Sequence, residues 1–465
     1  MATVAVILAA GLGTRMKSSL PKVLHPILGD ASLLWVLRTL PRDLAGALVV
    51  VHHGKEQVLA ALEQWQKAGL LPCPVQAVDQ GTPLGTGHAL QVCIHELDRL
   101  NPARVVILCG DVPLIPANTV AHLCASEALL LAMDLEVPGN YGRVLQHPDG
   151  RLATMVEAKD ATADQLQVRR VNGGAYSLPW TPLKRALEGL SNANAQQEYY
   201  LTDAVMAVAQ HLPVRVEICP EEDLAGMNSR ADQAAIQAVA QRRIHQHWMT
   251  EGVSFLHADS ALVGPRVILA RDVTIEPGAR LEGAVTIGEG SIVGQGTVIR
   301  ESSLGEGVEV RPYCVIEQAQ VAAGAKIGPF ARLREGTDLK EGVHIGNFVE
   351  TKKATLQRGA KANHLAYLGD AEIGEGTNIG AGVITCNYDG VNKHRTTIGR
   401  NVFVGSDTQL VAPVTLGDGS LIGAGSTITQ DVPADAVALS RAPQTHREGS
   451  ASRLRLRLRK ANRVS

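Results

Sequence analysis

The sequence predicts two unlike domains in one chain: an N-terminal α/β domain with a mostly parallel sheet, then an all-β domain wound as a parallel β-helix. Three observations carry that prediction. A glycine-rich turn closes a short apolar run at the start of the sequence; strand-like and helix-like stretches alternate to about Arg230; and from Val263 to Ile428 aliphatic residues recur at every sixth position, with two interruptions.

Val4 to Leu8 reads as a buried strand, and Ala9-Ala10-Gly11-Leu12-Gly13-Thr14-Arg15-Met16 as the turn that ends it. Successive backbone N–H groups in such a turn form an anion nest, to which Arg15 and Lys22 add charge. A tight strand-to-helix turn accounts for the two glycines equally well; the cations are what favour a phosphate. No third glycine completes a dinucleotide fingerprint, and no Gly precedes a Lys-Ser as in a P-loop. Further strands are predicted at Ala47 to Val51 and Val105 to Cys109, with helix-compatible stretches at Glu56 to Ala68 and Thr86 to Leu97. Such alternation builds a parallel sheet that binds ligands beyond the carboxyl ends of its strands. Asp111 falls just past one such end. A hard carboxylate there suits Mg²⁺ shared with substrate phosphates, and a turn or N-cap aspartate is the plainer alternative.

Ser229 to Met249 has no Gly or Pro and sets Ile236, Ala240, Ile244 and Trp248 four apart, with Gly252 as a stop. It predicts one long helix whose stripe serves packing. Beyond it, Val263, Leu269, Ile275, Leu281, Ile287, Val293 and Ile299 keep the six-residue beat, which resumes at Leu304, Ile327 and Ile398. Six is no multiple of 3.6 but is a multiple of 2, so one aliphatic per hexad can keep facing inward. Three hexads per triangular coil of about 18 residues give roughly nine coils, a prism on the order of 45 Å long. The beat fails between Ile345 and Ile373, around Glu350-Thr351-Lys352-Lys353 and Asn363-His364-Leu365-Ala366-Tyr367. It fails again between Ile379 and Ile398, where Thr385 to Arg395 reads as a polar loop thrust out of the coil. Local rules break most often where function overrides them.

A net charge of −2 over 465 residues opposes a nucleic-acid partner, whose phosphates demand a basic excess. Seven scattered cysteines without a C-x-x-C pair fit a reducing compartment and no zinc site. The start lacks a basic n-region, and no apolar run reaches the length of a membrane span. The expectation is a cytoplasmic protein with no membrane partner.

Leu8-Ala9-Ala10-Gly11-Leu12-Gly13-Thr14-Arg15-Met16, followed by Leu20-Pro21-Lys22-Val23-Leu24, resembles the signature of sugar-1-phosphate nucleotidylyltransferases. The hexad spacing resembles the left-handed β-helix of the hexapeptide acyltransferases. With both motifs in that order over essentially its full length, the chain is similar to the bacterial bifunctional family of N-acetylglucosamine-1-phosphate uridylyltransferase and glucosamine-1-phosphate N-acetyltransferase. The resemblance implies a Rossmann-like uridylyltransferase (pyrophosphorylase) domain at 1–230, a helical linker at 231–251, and a left-handed β-helix acetyltransferase domain with a basic tail at 252–465. It also implies a homotrimer with acetyltransferase sites between subunits. The product, UDP-N-acetylglucosamine, would feed peptidoglycan and lipopolysaccharide precursors.

Carried over by motif, the resemblance puts the uridine nucleotide of UTP at Leu8, Ala9, Ala10, Gly11, Lys22, Gln80, Gly85, Thr86, Cys109, Gly110 and Asp111. It puts the sugar phosphate at Gly142, Glu157 and Asn172, and Mg²⁺ at Asp111 and Asn228. Arg15 and Lys22 would offset charge on the departing pyrophosphate. In the second domain it makes His364 the proton acceptor, with Glu350 as its orienter, and Arg334, Lys352, Tyr367 and Asn378 the pocket for glucosamine-1-phosphate. Acetyl-CoA would contact Ala381, Asn387, Tyr388, Ser406, Ala424 and Arg441. The chemistry agrees with those residue types. An imidazole titrating near neutrality can take a proton from an amine attacking a thioester, and Arg334 and Lys352 suit a phosphate as fork and point charge.

Three residues depart from the family pattern: Gly173 where Thr is usual, Glu335 where Pro is common, and Asn363 where Gly is common. Glu335 is expected to weaken phosphate binding by repulsion, and Asn363 to alter the loop. The tail, Arg453-Leu454-Arg455-Leu456-Arg457-Leu458-Arg459-Lys460, is expected to be mobile and solvated. Two other readings compete. A nucleotidylyltransferase with a purely structural β-helix leaves His364 and the Cys386-Asn387-Tyr388 loop without a purpose, and a non-catalytic assembly subunit conflicts with intact Gly11, Gly13, Arg15, Lys22 and Asp111.

Overall fold

The run Thr3–Leu8 becomes an interior strand of the N-terminal sheet in the computed structural model, which describes residues 2–461. Met1 and residues 462–465, which fall inside the expected domain boundaries, lie outside the described residues. Across the sheet the strands run in the order Arg215–Ile218, Leu129–Asp134, Arg170–Pro179, Arg104–Cys109, Thr3–Leu8, Gly46–Val51 and Val75–Asp79. Alternation of side chains sorts the apolar residues into two layers. Val4, Val6, Leu48, Val50 and Ile107 share one core, and Ala5, Ile7, Ala47, Val49 and Leu108 the other. Helix Ser32–Arg38 contributes Leu33, Val36 and Leu37 to one layer, while Thr86–Gln91 and Ile94–Leu100 contribute Ala89, Leu90 and Leu97 to the other. A sheet buried on both faces explains why its strands read as nearly unbroken apolar runs.

The sheet is mostly parallel, as expected, with one of these seven strands reversed. Arg170–Pro179 runs antiparallel to both its neighbours and also pairs with Arg143–Gln146, which forms an antiparallel ribbon with Leu152–Val156. The chain reaches it through this ribbon rather than through a helical crossover, so nothing forces it parallel.

The long helix spans Arg230–Thr250, with Ile236 and Ala240 buried. The chain divides into two compact units, Met1–Gln246 with Val263–Pro265, and His247–Leu262 with Arg266–Ser465. That division falls inside the helix, whereas the sequence treats the whole of 231–251 as a linker.

In the C-terminal unit three strands make one coil, and like strands stack in parallel. One face is an 11-stranded sheet running from Ser254–Phe255 to Val437–Ala438, and nine of its strands fall between Val263 and Ile428, the stretch for which roughly nine coils are expected. Most of its rungs are 17 or 18 residues apart, as from Thr274 to Ile292 and from Ile292 to Glu309. The aliphatic beat becomes a column: Ile275, Val293, Val310, Ile327, Ile345, Ala362, Ile379, Val404 and Ile422 are register partners in turn, and all are buried. At the second interruption the rungs Asn378 and Phe403 stand 25 residues apart, and the excess forms the loop that carries exposed Tyr388 and Val391. The first interruption is no loop. Glu350–Leu356 and Tyr367–Ile373 are the longest rungs of the coil, paired from Glu350 on Tyr367 to Leu356 on Ile373.

The tail departs from expectation. Ser450–Ala461 is an α-helix, and its side chains from Ala451 to Arg459 are exposed. Leu, Arg, Lys and Ala are strong helix formers, and strict alternation conceals this because it matches no helical face.

Candidate active sites

Parallel pairing of Thr3–Leu8 with Arg104–Cys109 sets Leu8 beside Cys109, so the glycine turn and Asp111 leave the sheet at the same edge. Gly110 N–H donates to the Leu8 carbonyl at 2.9 Å and ties the two exits together. Gly13 has φ of 60°, and a Cβ there would lie 2.9 Å from the Cβ of Lys22. Only glycine lets the turn fold back on Lys22. Lys22 Nζ donates to the Asp111 carboxylate and, at 3.3 Å, to Asn228 Oδ1. Met227 N–H donates to the Asp111 carbonyl at 2.8 Å, fixing the Asn228 segment to the strand end.

Two hard oxygens, from Asp111 and Asn228, thus already share a cation. That donor set fits Mg²⁺, which takes one or two protein ligands and completes its shell with water and phosphate. Among the described residues no group of three or more His, Cys, Asp or Glu could hold a metal. Tyr141, which the sequence reading passed over, brings its hydroxyl to the same place, because a Cβ on Gly226 would lie 3.6 Å from it and 4.0 Å from Asp111 Oδ2.

The remaining residues expected to hold the nucleotide and the sugar are placed as follows. Gln80 is buried, with Nε2 donating to the Gly85 carbonyl at 3.0 Å. Thr86 Oγ1 accepts from Leu201 N–H at 3.1 Å. Ala9 and Ala10 are buried beneath exposed Gly11, and Arg15 is exposed with no ion pair among the described residues. Asn172 N–H donates to the Gly142 carbonyl at 2.9 Å. Its side chain is held at both ends, accepting from Gly174 N–H at 3.0 Å and donating to Tyr176 Oη at 2.6 Å. Gly173 has a reason to differ from the family: a Cβ there would lie 2.7 Å from the Leu131 carbonyl, where the strand bulges between Asn172 and Ala175. Burial pushes the Glu157 carboxyl above its ordinary range, against a hydrogen bond from Thr202 Oγ1 at 3.2 Å. Burial likewise pushes the Cys109 thiol up to about 12, so it is inert. All seven cysteines are free thiols.

In the β-helix the register assembles the second set. His344–Asn347 and Lys361–His364 are adjacent rungs, with Asn347 directly beside His364. Asn347 Oδ1 lies 3.0 Å from His364 Nδ1. Glu350, expected to orient His364, instead accepts from Arg334 Nη1 at 2.8 Å. The correction has a simple cause. Glu350 begins the rung on another face, Glu350–Leu356, which points it toward Arg334, whereas Asn347 shares the face of His364. Glu335 accepts from Lys352 at 3.0 Å and lies 3.8 Å from Arg334, so both phosphate candidates face one carboxylate. Tyr367 has room because Gly369 lacks a Cβ, which would meet its hydroxyl.

Ala381, Ser406 and Ala424 follow His364 along the same edge of the prism, as the stacking of Ile379 on Val404 and Val404 on Ile422 requires. Arg441 Nη1 donates to the Ala424 carbonyl at 2.7 Å. Asn387 is buried and donates to Asp370, while Tyr388 is exposed at the mouth of the inserted loop. Asn378 begins the rung stacked on Lys361. Asn363 keeps its Oδ1 buried without a partner.

A strand edge that gathers Lys22, Asp111 and Asn228 in one unit, and a hexapeptide coil bearing a surface imidazole in the other, are the framework of a nucleotidyltransferase joined to an acyltransferase. The chain matches the MobA-like NTP transferase domain over residues 5–146, the GMPPB C-terminal domain over 262–355, and the bacterial transferase hexapeptide (six repeats) over 395–430. It is 45% identical over 452 residues to the bifunctional protein GlmU of Marinobacter nauticus, covering 96% of this chain and 97% of that one. The GlmU proteins of Alkalilimnicola ehrlichii, at 46% over 94% of each chain, and Pelobacter propionicus, at 44% over 96% and 97%, are similar. The chain belongs to the bifunctional GlmU family. It is an acetyltransferase and uridylyltransferase of UDP-N-acetylglucosamine synthesis, and its coil is the left-handed hexapeptide β-helix. No helix among the described residues is long and apolar enough to cross a membrane.

Proposed function

We propose that the two activities reside in separate sites, uridylyl transfer in 1–230 and acetyl transfer in 252–465, in a cytoplasmic homotrimer. The observation that carries this is the pair of independent constellations: Lys22, Asp111 and Asn228 at one strand edge, and His364 with Asn347 on one prism edge.

In the first site a phosphate oxygen of N-acetylglucosamine-1-phosphate attacks the α-phosphorus of UTP, and pyrophosphate leaves. Such transfer needs positioning and charge neutralisation rather than a base. Leu8 to Gly11, Gln80, Gly85, Thr86, Cys109 and Gly110 hold the nucleotide, while Gly142, Glu157 and Asn172 hold the sugar. Lys22 and Arg15 stabilise charge on the departing group. Asp111 and Asn228 would hold Mg²⁺, which when bound neutralises and orients the phosphates.

In the second site Arg334, Lys352, Tyr367 and Asn378 hold glucosamine-1-phosphate, and Ala381, Asn387, Tyr388, Ser406, Ala424 and Arg441 hold acetyl-CoA. The amine nitrogen bonds to the acetyl carbonyl carbon, its proton passes to His364, and the C–S bond breaks to release CoA. His364, Tyr388, Ser406, Ala424 and Arg441 are all exposed on the single chain, which supports a site closed by a neighbouring copy. So does an exposed ladder of stacked rings, Tyr313, Phe330 and Phe348, with centroids 5.4 Å apart.

The test is to follow free thiol and pyrophosphate separately. Asp111→Ala is expected to abolish pyrophosphate release and spare acetyl transfer. His364→Ala is expected to lower acetyl transfer by roughly 10²- to 10⁴-fold and spare uridylyl transfer. Loss of both activities in either folded variant, or an unchanged acetylation rate in His364→Ala, would overturn the assignment.

A further inference from the structure

We infer that Asn347 is a positioning residue that holds His364 in the tautomer with hydrogen on Nδ1, leaving Nε2 as the sole nitrogen able to accept the amine proton. This rests on the reading of His364 as the base. The sequence marks Asn347 as one more polar residue of a hexad; only the coil, by stacking positions 17 apart, sets it against the imidazole.

Asn347 Oδ1 is 3.0 Å from Nδ1. A carboxamide oxygen only accepts, and a neutral imidazole donates from one nitrogen and accepts at the other. Nδ1 therefore carries the hydrogen, and the free lone pair is on Nε2, which meets no protein group among the described residues. Among the described residues no other hydrogen-bond partner of Nδ1 is found. Glu350 is taken by Arg334, and Asn363, adjacent in the chain, has its Oδ1 buried inside the coil.

The partner's neutrality is part of the device. During transfer Nε2 takes the amine proton, the nitrogen–carbon bond forms, the C–S bond breaks, and Nε2 returns the proton to the departing thiolate. Nδ1–H stays on Asn347 throughout. An amide steers the ring without a charge that would retain the proton, as a carboxylate would.

The experiment uses the full chain, with uridylyl transfer as the control for folding, and measures kcat, KM and the pH profile of acetyl transfer. Asn347→Ala is expected to lower kcat by roughly 10- to 100-fold, the usual scale for losing the group that orients a histidine, with KM values within about twofold. Asn347→Asp keeps the oxygen acceptor, and is expected to retain kcat at alkaline pH while moving the acid limb of kcat/KM up by about one pH unit. A wild-type kcat in Asn347→Ala, or an unmoved limb in Asn347→Asp, overturns the inference; should the alanine variant fail to fold, the aspartate variant decides alone. His364→Ala separates the two levels. If it abolishes acetyl transfer while both Asn347 variants behave as wild type, only the orienting role falls; if acetyl transfer survives it, the base itself has been misassigned.

Discussion

Glu335 faces the two cations proposed to hold the substrate phosphate. Its carboxylate is 3.0 Å from Lys352 Nζ, and the hydrogen bond from Lys352 holds it below the ordinary glutamate range. A phosphate bound as proposed must win Lys352 from it, and Arg334 from Glu350, which accepts from Nη1 at 2.8 Å. Because the pair is open to solvent, water screens the contest and keeps it small. Glu335→Gln is therefore expected to lower KM for glucosamine-1-phosphate by up to about fivefold at unchanged kcat, read from initial rates of thiol release. A raised KM would mean that Glu335 aligns the cations instead of occupying them. At this scale the sequence was uneven. The departure at Glu335 and its opposition to phosphate were readable from charge, but its pairing with Lys352 was not. Asn347 could not be found at all, because its partner is fixed by coil register, not by a motif.

Among elements, the inserted loop shows how an added segment is made rigid. Asp389 accepts from the N–H groups of Val391 and Asn392 at 2.8 and 2.6 Å, and its other oxygen meets His394 Nε2 at 2.6 Å. The Asn392 amide first, then His394, hold the carboxyl at about 2. A depressed carboxylate gives its support above the ordinary range and loses it only as pH falls through about 2, so the brace is constant at any pH an enzyme meets. Asp389→Ala is expected to raise KM for acetyl-CoA severalfold, with uridylyl transfer untouched; an unchanged KM would place the loop outside the CoA site. The loop was legible because eleven residues from Thr385 to Arg395 interrupt the beat. The first interruption was legible as a place but not as a shape, since one residue fewer per coil breaks the count without breaking the strand. The reversed strand Arg170–Pro179 was missed for a related reason: direction is set by the connection, and the ribbon before it has no helical period to reveal it.

For the whole molecule the aromatic ladder sets the expectation. Tyr313, Phe330 and Phe348 are 49%, 48% and 56% exposed, and Leu365, one rung on, is 63% exposed, immediately after His364. A contiguous apolar ridge of that kind on a soluble surface marks a contact site, and cyclic closure by copies of the chain covers it without leaving a free end. Phe330→Asp is expected to shift sedimentation from the proposed trimer to monomer and to lower acetyl transfer at least tenfold, with uridylyl transfer per chain retained. A trimer that persists would move the interface elsewhere.

The prism edge carries one further consequence. Asn347, His364, Ala381, Ser406 and Ala424 fall one to a coil, so distance along it is counted in whole steps of about 4.8 Å. The coil is in effect a graduated rule, with the proposed base at one mark and the far end of the proposed acetyl-CoA site a fixed number of marks away. Excising one complete turn between them would shorten the reach by a single division, while excising one nearer the long helix would leave the scale intact.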